Sequence, residues 1–405
     1  MKKILQIDEN GKIEPYTNES GVTYRGLIVM DRTNLQYALV YPENMQDDKQ
    51  LIVESLNKNP EDRNIKDISD QEVRGTLAAS LTARIEWSKD APILMPIVPH
   101  DKTYAPYYQQ LSRDCFTDEL AGKREFERID LQYLECIQDA KDSLRQLTGK
   151  RVPDKVFING YSSSGVFAQR FALIHPEIVD KCCVGGSTGS IPIPESNIGY
   201  PVGIADFKEL FGKEFNEEAY KSIDFAYYVG EHEASNPAEW DIEGNPIEKG
   251  KSQLRAPMHD MSYHGHSTPK DIGEKQRETY GRSLNDRFKN SVQYYRENGY
   301  KIVDLIYKGV GHNNIFGSRI AGKVIKDIMD FYRGNPAFEF DSFSSVTELD
   351  MSEQLQRESS YLLSSAVKAT EDVVMESGIK QQARNIANID RNNNSRNIEQ
   401  EHENL

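Results

Sequence analysis

Residues 156–168 read Val156-Phe157-Ile158-Asn159-Gly160-Tyr161-Ser162-Ser163-Ser164-Gly165-Val166-Phe167-Ala168, and this stretch decides how the chain is understood. It opens as a short apolar strand, turns tightly between glycines, and leaves as a helix that runs to Ile174. A serine on such a strand-to-helix turn has its hydroxyl pushed out of the fold. The next amide, that of Ser163, points to where an acyl oxyanion forms. Small residues are needed on both sides because strand and helix nearly touch. Gly160 and Ser164 hold the outer positions of a G-x-S-x-G-like turn, with Ser in place of the second Gly, and Gly165 follows. Taken alone, the turn is equally an ordinary serine-rich βα loop, so the residues downstream have to decide.

Outward from this turn, strands and helices alternate. Val22–Met30 and Leu35–Tyr41 form a predicted antiparallel hairpin around Asp31-Arg32-Thr33-Asn34. Leu51–Glu54 is a third strand. Asp70 caps a helix from Gln71 to about Glu86, with Val73, Leu77, Leu81 and Ile85 on one face. Pro92–Val98 is a strand in which Pro96 implies an edge, a bulge or an early end. Residues 99–123 are a long loop bearing Tyr104, Tyr107 and Tyr108. A helix spans Arg124 to Leu147, and strands follow at Val179–Gly186, Asp224–Val229 and Lys301–Tyr307. Residues 234–282 are a polar insertion. Ser283–Glu297 and Ser318–Tyr332 are helices. The pattern predicts an α/β fold, a mostly parallel sheet covered on both faces with an antiparallel hairpin at its start. Residues 1–340 are read as this domain. Residues 341–405 are a polar extension, partly helical and then disordered, able to dock on the domain or on a second chain.

Composition narrows the function. The 405 residues are 38% hydrophobic and 28% charged, with a formal net charge of −15, which argues against general binding to nucleic acid or anionic membranes. The apolar run at the N-terminus stops at Asp8, and no segment is long and apolar enough to span a membrane. The four cysteines lack metal spacing, and adjacent Cys182 and Cys183 read as core residues of a strand. A reducing, cytoplasmic compartment is expected.

A serine hydroxyl needs a base to accept its proton, and a carboxylate behind that base fixes its tautomer. Ser162, Glu233 and His312 each follow a strand, in the order Ser…acid…His, with Glu233 in Gly230-Glu231-His232-Glu233 and His312 in Gly309-Val310-Gly311-His312. Among the eight histidines, His312 alone sits between the last strand and the last helix. His259, Asp260, His264 and His266 cluster in sequence, but without a helix or hairpin to fix ligand geometry no metal site is expected.

On these motifs and the element order, residues 20–335 resemble the α/β-hydrolase superfamily of serine esterases, lipases and peptidases, in the flavour of its esterase and polyester-depolymerase branch. The resemblance implies a carboxylic ester hydrolase that works through an acyl-enzyme on Ser162, His312 and Glu233, with no metal or organic cofactor. Glu231 faces the same way as Glu233 in an extended segment. Glu233 lies further past the strand end, where the family's acid usually sits, and Asp241 and Asp206 are further alternatives. The family draws its second oxyanion amide from the loop after the third strand. Here that loop is Ser55-Leu56-Asn57-Lys58, which lacks the usual His-Gly-Gly series and leaves Leu56 or Asn57 as donor. Tyr104, Tyr107, Tyr108, Tyr161 and Trp240 are candidate walls for a small acyl ester. Acyl transfer, amide cleavage and a non-catalytic scaffold on the same fold stay open.

Overall fold

The computed structural model describes residues 4–54, 68–98, 111–116, 127–187, 191–230, 269–281, 284–307, 315–316 and 320–335. Strands β1 (Tyr16–Thr17), β2 (Thr23–Val29) and β3 (Tyr37–Pro42) pair antiparallel in succession, so the expected hairpin is present. Strand β4 (Ile52–Val53) leads to helix α1 (Gln71–Ser88) and strand β5 (Ile93–Pro96). The Asp70 carboxylate accepts the Glu72 amide at 2.7 Å, the predicted cap. Val73, Leu77, Leu81 and Ile85 are all buried. Strand β5 stops at Pro96, the early end that its missing N–H favours, although β5 lies inside the sheet between β3 and β4.

Helix α2 spans Ile129–Thr148. Arg128, inside the expected span, has a left-handed φ of 49° and so sets the start at Ile129. The stripe Ile129, Tyr133, Ile137, Ala140 and Leu144 is buried. Next come β6 (Val156–Tyr161), α3 (Ser163–Ile174) and β7 (Val179–Gly185). Short helices α4 (Phe207–Phe211) and α5 (Glu217–Ser222) precede β8 (Asp224–Gly230). Helices α6 (Lys270–Tyr280) and α7 (Leu284–Glu297), strand β9 (Lys301–Tyr307) and helix α8 (Ala321–Arg333) complete the described chain. Helix α6 falls within the stretch read from sequence as a polar insertion. Its Ile272 and Tyr280 join Ile193, Ile198 and Val202 in a small core of their own.

The nine strands form one sheet in the order β1-β2-β3-β5-β4-β6-β7-β8-β9. Strands β5, β4, β6, β7, β8 and β9 run parallel, and β3 meets β5 antiparallel. Antiparallel leading strands, the β5–β4 inversion and a serine turn after the strand beside β4 make this an α/β-hydrolase fold. Alternate residues of each strand feed opposite layers. Val156, Ile158, Cys182 and Val184 pack with α2, α3 and α7, whereas Phe157 and Cys183 pack with α1 and α8. The adjacent cysteines thus serve two cores, as their place in a buried strand implied. Among the described residues no helix is long and apolar enough to cross a membrane. The parallel strands all end on one edge, the edge at which ligands bind in open sheets of this kind.

Candidate active site

Ser162 stands on that edge, between the end of β6 and the first turn of α3. Its backbone is at φ 57° and ψ −121°, a region that costs a side-chain-bearing residue about 1–3 kcal/mol and persists only where the surroundings over-determine it. They do so here. The Ser162 amide donates to the Gly185 carbonyl of β7 at 2.8 Å. The Ser162 carbonyl accepts the Val166 amide at 2.9 Å and the Ser187 hydroxyl at 3.0 Å.

The turn also explains its own sequence. A Cβ on Gly160 would lie 2.3 Å from the Ser164 carbonyl oxygen, so no side chain fits there. A Cβ on Gly165 would lie 2.8 Å from the Ser187 hydroxyl and 3.0 Å from the Gly185 carbonyl oxygen. Gly165 is therefore the position of close helix-to-strand approach, which leaves position 164 open to a side chain. Ser164 uses it: its hydroxyl accepts the Tyr161 amide at 3.0 Å and donates to the Tyr161 carbonyl at 2.9 Å.

Ser163 is the first residue of α3, so its amide has no acceptor within the helix, and the positive end of the helix dipole falls at Ser162. Ser162 and Ser163 are both half-buried. A side-chain hydroxyl and a helix-start amide thus occupy adjacent positions, the pairing that attack on a carbonyl and binding of its oxyanion require.

An aromatic group flanks the turn. Tyr161 stacks on Tyr228 at 5.9 Å between ring centroids and meets Phe316 edge-on at 5.0 Å. Phe316 in turn stacks on Trp87 of α1 at 5.7 Å. Tyr161, expected as a substrate wall, is thus packed on at least two sides. Phe316 and Ser187 escaped sequence reading. Phe316 follows the last strand beside Ile315, in a short apolar pair with no period to reveal its contact.

The remaining expected site residues, Glu231, Glu233, His312, Leu56, Asn57, Tyr104, Tyr107, Tyr108, Trp240 and Asp241, lie outside the described residues, as do His259, Asp260, His264 and His266. Asp206, one alternative for the acid, is engaged elsewhere: it pairs with Arg113 and accepts the Tyr200 amide at 2.8 Å. His175 is the histidine among the described residues. It caps the far end of the 12-residue α3, roughly 18 Å of helix from Ser162, which rules it out as the base in this conformation. It is buried and bonds Asp130 at 2.9 Å. Burial alone would raise Asp130, but hydrogen bonds from Arg128 and His175 outweigh it and hold the carboxyl at about 2. The four cysteines are free and buried, and burial pushes the Cys136 thiol up to about 12.

In sequence, the chain matches no protein-family model and no curated protein. Solved structures align with it over most of its length. A poly(3-hydroxybutyrate) depolymerase from Bordetella parapertussis aligns over 84% of this chain and 94% of its own, at 11% identity and a TM-score of 0.46. A siderophore hydrolase from Aspergillus nidulans aligns over 80% and 94%, at 14% identity and a TM-score of 0.38. An S-formylglutathione hydrolase from Agrobacterium tumefaciens aligns over 79% and 96%, at 11% identity and a TM-score of 0.37. The assignment of fold rests on this chain's own strand order and on the turn at Ser162.

Proposed function

We propose that the protein is a serine hydrolase of carboxylic esters. Ser162 attacks the ester carbonyl while His312 takes its proton and then returns it to the leaving alcohol. Glu233 holds the His312 imidazole in the tautomer that faces Ser162. The Ser163 amide and a second amide from Leu56 or Asn57 bind the oxyanion. Water then resolves the acyl-enzyme. No metal or organic cofactor takes part in these steps. The acyl group sits among Tyr104, Tyr107, Tyr108, Tyr161 and Trp240.

The observation that carries this reading is the strained backbone of Ser162, held by three hydrogen bonds at the start of α3. A plain βα loop has no need of a serine at positive φ. Residues on either side of the segment bearing His312 are held on the same sheet edge, and one of them touches the turn. Tyr307 ends β9 beside Gly230, and Phe316 packs on Tyr161. Hydrolysis of p-nitrophenyl butyrate tests the proposal. Turnover is expected to fall by about 10⁴-fold or more in His312→Ala. Equal turnover in wild type and His312→Ala would remove His312 from the mechanism.

A further inference from the structure

A buried charge pair lies beside the catalytic turn, and the proposed chemistry makes no use of it. Glu54 follows β4 and is 3% exposed. Arg84 of α1 grips its carboxylate with two nitrogens, Nε to Oε2 at 3.0 Å and Nη2 to Oε1. Asn159 of β6 donates from Nδ2 to the same Oε2 at 2.9 Å. The register of the two strands accounts for this last bond. Ile52 lies opposite Phe157 and Val53 opposite Ile158, so the next pair is Glu54 and Asn159. A carboxylate only accepts, so the amide must turn its nitrogen to Glu54. The other amide atom, Oδ1, is buried and meets no donor among the described residues.

Each end of this bond is close to a catalytic segment. Glu54 directly precedes the 55–58 loop proposed to supply an oxyanion amide. Asn159 directly precedes Gly160 and the turn at Ser162. Arg84 extends the chain of contacts. Its guanidinium lies 4.7 Å over the Trp87 ring, Trp87 stacks on Phe316, and Phe316 meets Tyr161. The circuit links Glu54 after β4, Asn159 and Tyr161 of β6, and Phe316 beyond β9. A buried ion pair of this kind contributes little net stability over well-packed neutral side chains, because desolvation offsets the attraction. Its directional bonds nevertheless fix geometry.

We infer that Glu54, Arg84 and Asn159 are positioning residues that lock the end of β4 in register against β6, the strand that carries Ser162. This rests on the serine-hydrolase reading above. Asn159→Ala cuts the bond between the strands and leaves the charge pair whole. The double variant Glu54→Gln with Arg84→Met removes the charges without stranding either one. Each is compared with wild type for p-nitrophenyl butyrate kinetics, fluorophosphonate inactivation rate and melting temperature.

The expected result is a kcat lower by about 10- to 100-fold, with KM within about twofold and an equal slowing of inactivation. The double variant is expected to keep its melting temperature within about 4 °C. Should Asn159→Ala fail to fold, the double variant decides. A folded variant with wild-type kcat and inactivation rate would overturn the proposal alone. Wild-type protein that hydrolyses nothing and resists inactivation would overturn the serine-hydrolase reading and this proposal with it.

Discussion

Phe316 meets Tyr161 edge-on, with ring centroids 5.0 Å apart and 73° between the ring planes. The contact joins the segment that follows β9 to the residue directly before Ser162. Phe316→Ala is therefore expected to do two things. It should cost about 1–3 kcal/mol of stability, since the ring is only partly buried. It should also lower kcat for p-nitrophenyl butyrate by about 10-fold or more, by loosening the segment that bears His312. Thermal unfolding and steady-state kinetics measure the two effects separately.

Gly160 tolerates no side chain, because its Cβ would lie 2.3 Å from a backbone oxygen that the helix start fixes. Gly160→Ala is expected to destabilise by about 1–3 kcal/mol and to displace Ser162 enough to abolish most turnover. Ser164→Gly, by contrast, gives the more usual turn sequence and gives up only the two Tyr161 hydrogen bonds. It should stay active, with a loss of about 1–2 kcal/mol measured by urea unfolding.

Asp130 supplies an acid-dependent contribution to stability. Its carboxyl is held at about 2 in the fold, against about 3.9 in an unfolded chain. A depressed carboxyl stabilises above the unfolded value, and that contribution is lost as pH falls from about 4 toward 2. Asp130→Asn is expected to be less stable than wild type by about 2 kcal/mol at pH 6, with the gap closing across that acid window. Unfolding midpoints measured from pH 6 to pH 2 check both the sign and the window.

The identity of the acid separates by substitution. Glu233→Gln is expected to lower kcat by about 10³–10⁴-fold, the scale of losing the group that orients a catalytic histidine. Glu231→Gln should change it by less than about threefold. The reverse pattern in steady-state kinetics would assign the role to Glu231.

Much of the fold was legible because local rules decided it. Asp70 caps α1, Pro96 ends β5, and the apolar stripes of α1 and α2 are buried where their spacing put them. The inversion that sets β4 between β5 and β6 was not legible, since no local pattern encodes which strands become neighbours. Helix α6 was missed because glutamine interrupts its buried stripe: Ile272, Gln276 and Tyr280 recur at helical spacing, and Gln276 is 1% exposed. At the site, Ser162 could be read because its turn is a matter of adjacent residues. The brace between Glu54 and Asn159 could not, because it depends on the register of strands far apart in sequence.

The central claim is that Ser162 is the nucleophile. Its most direct test is the intact mass of the folded protein after reaction with a fluorophosphonate, followed by peptide mapping. The account predicts a single adduct on Ser162, absent from Ser162→Ala. An unmodified wild-type protein, or an adduct that persists in Ser162→Ala, would contradict it.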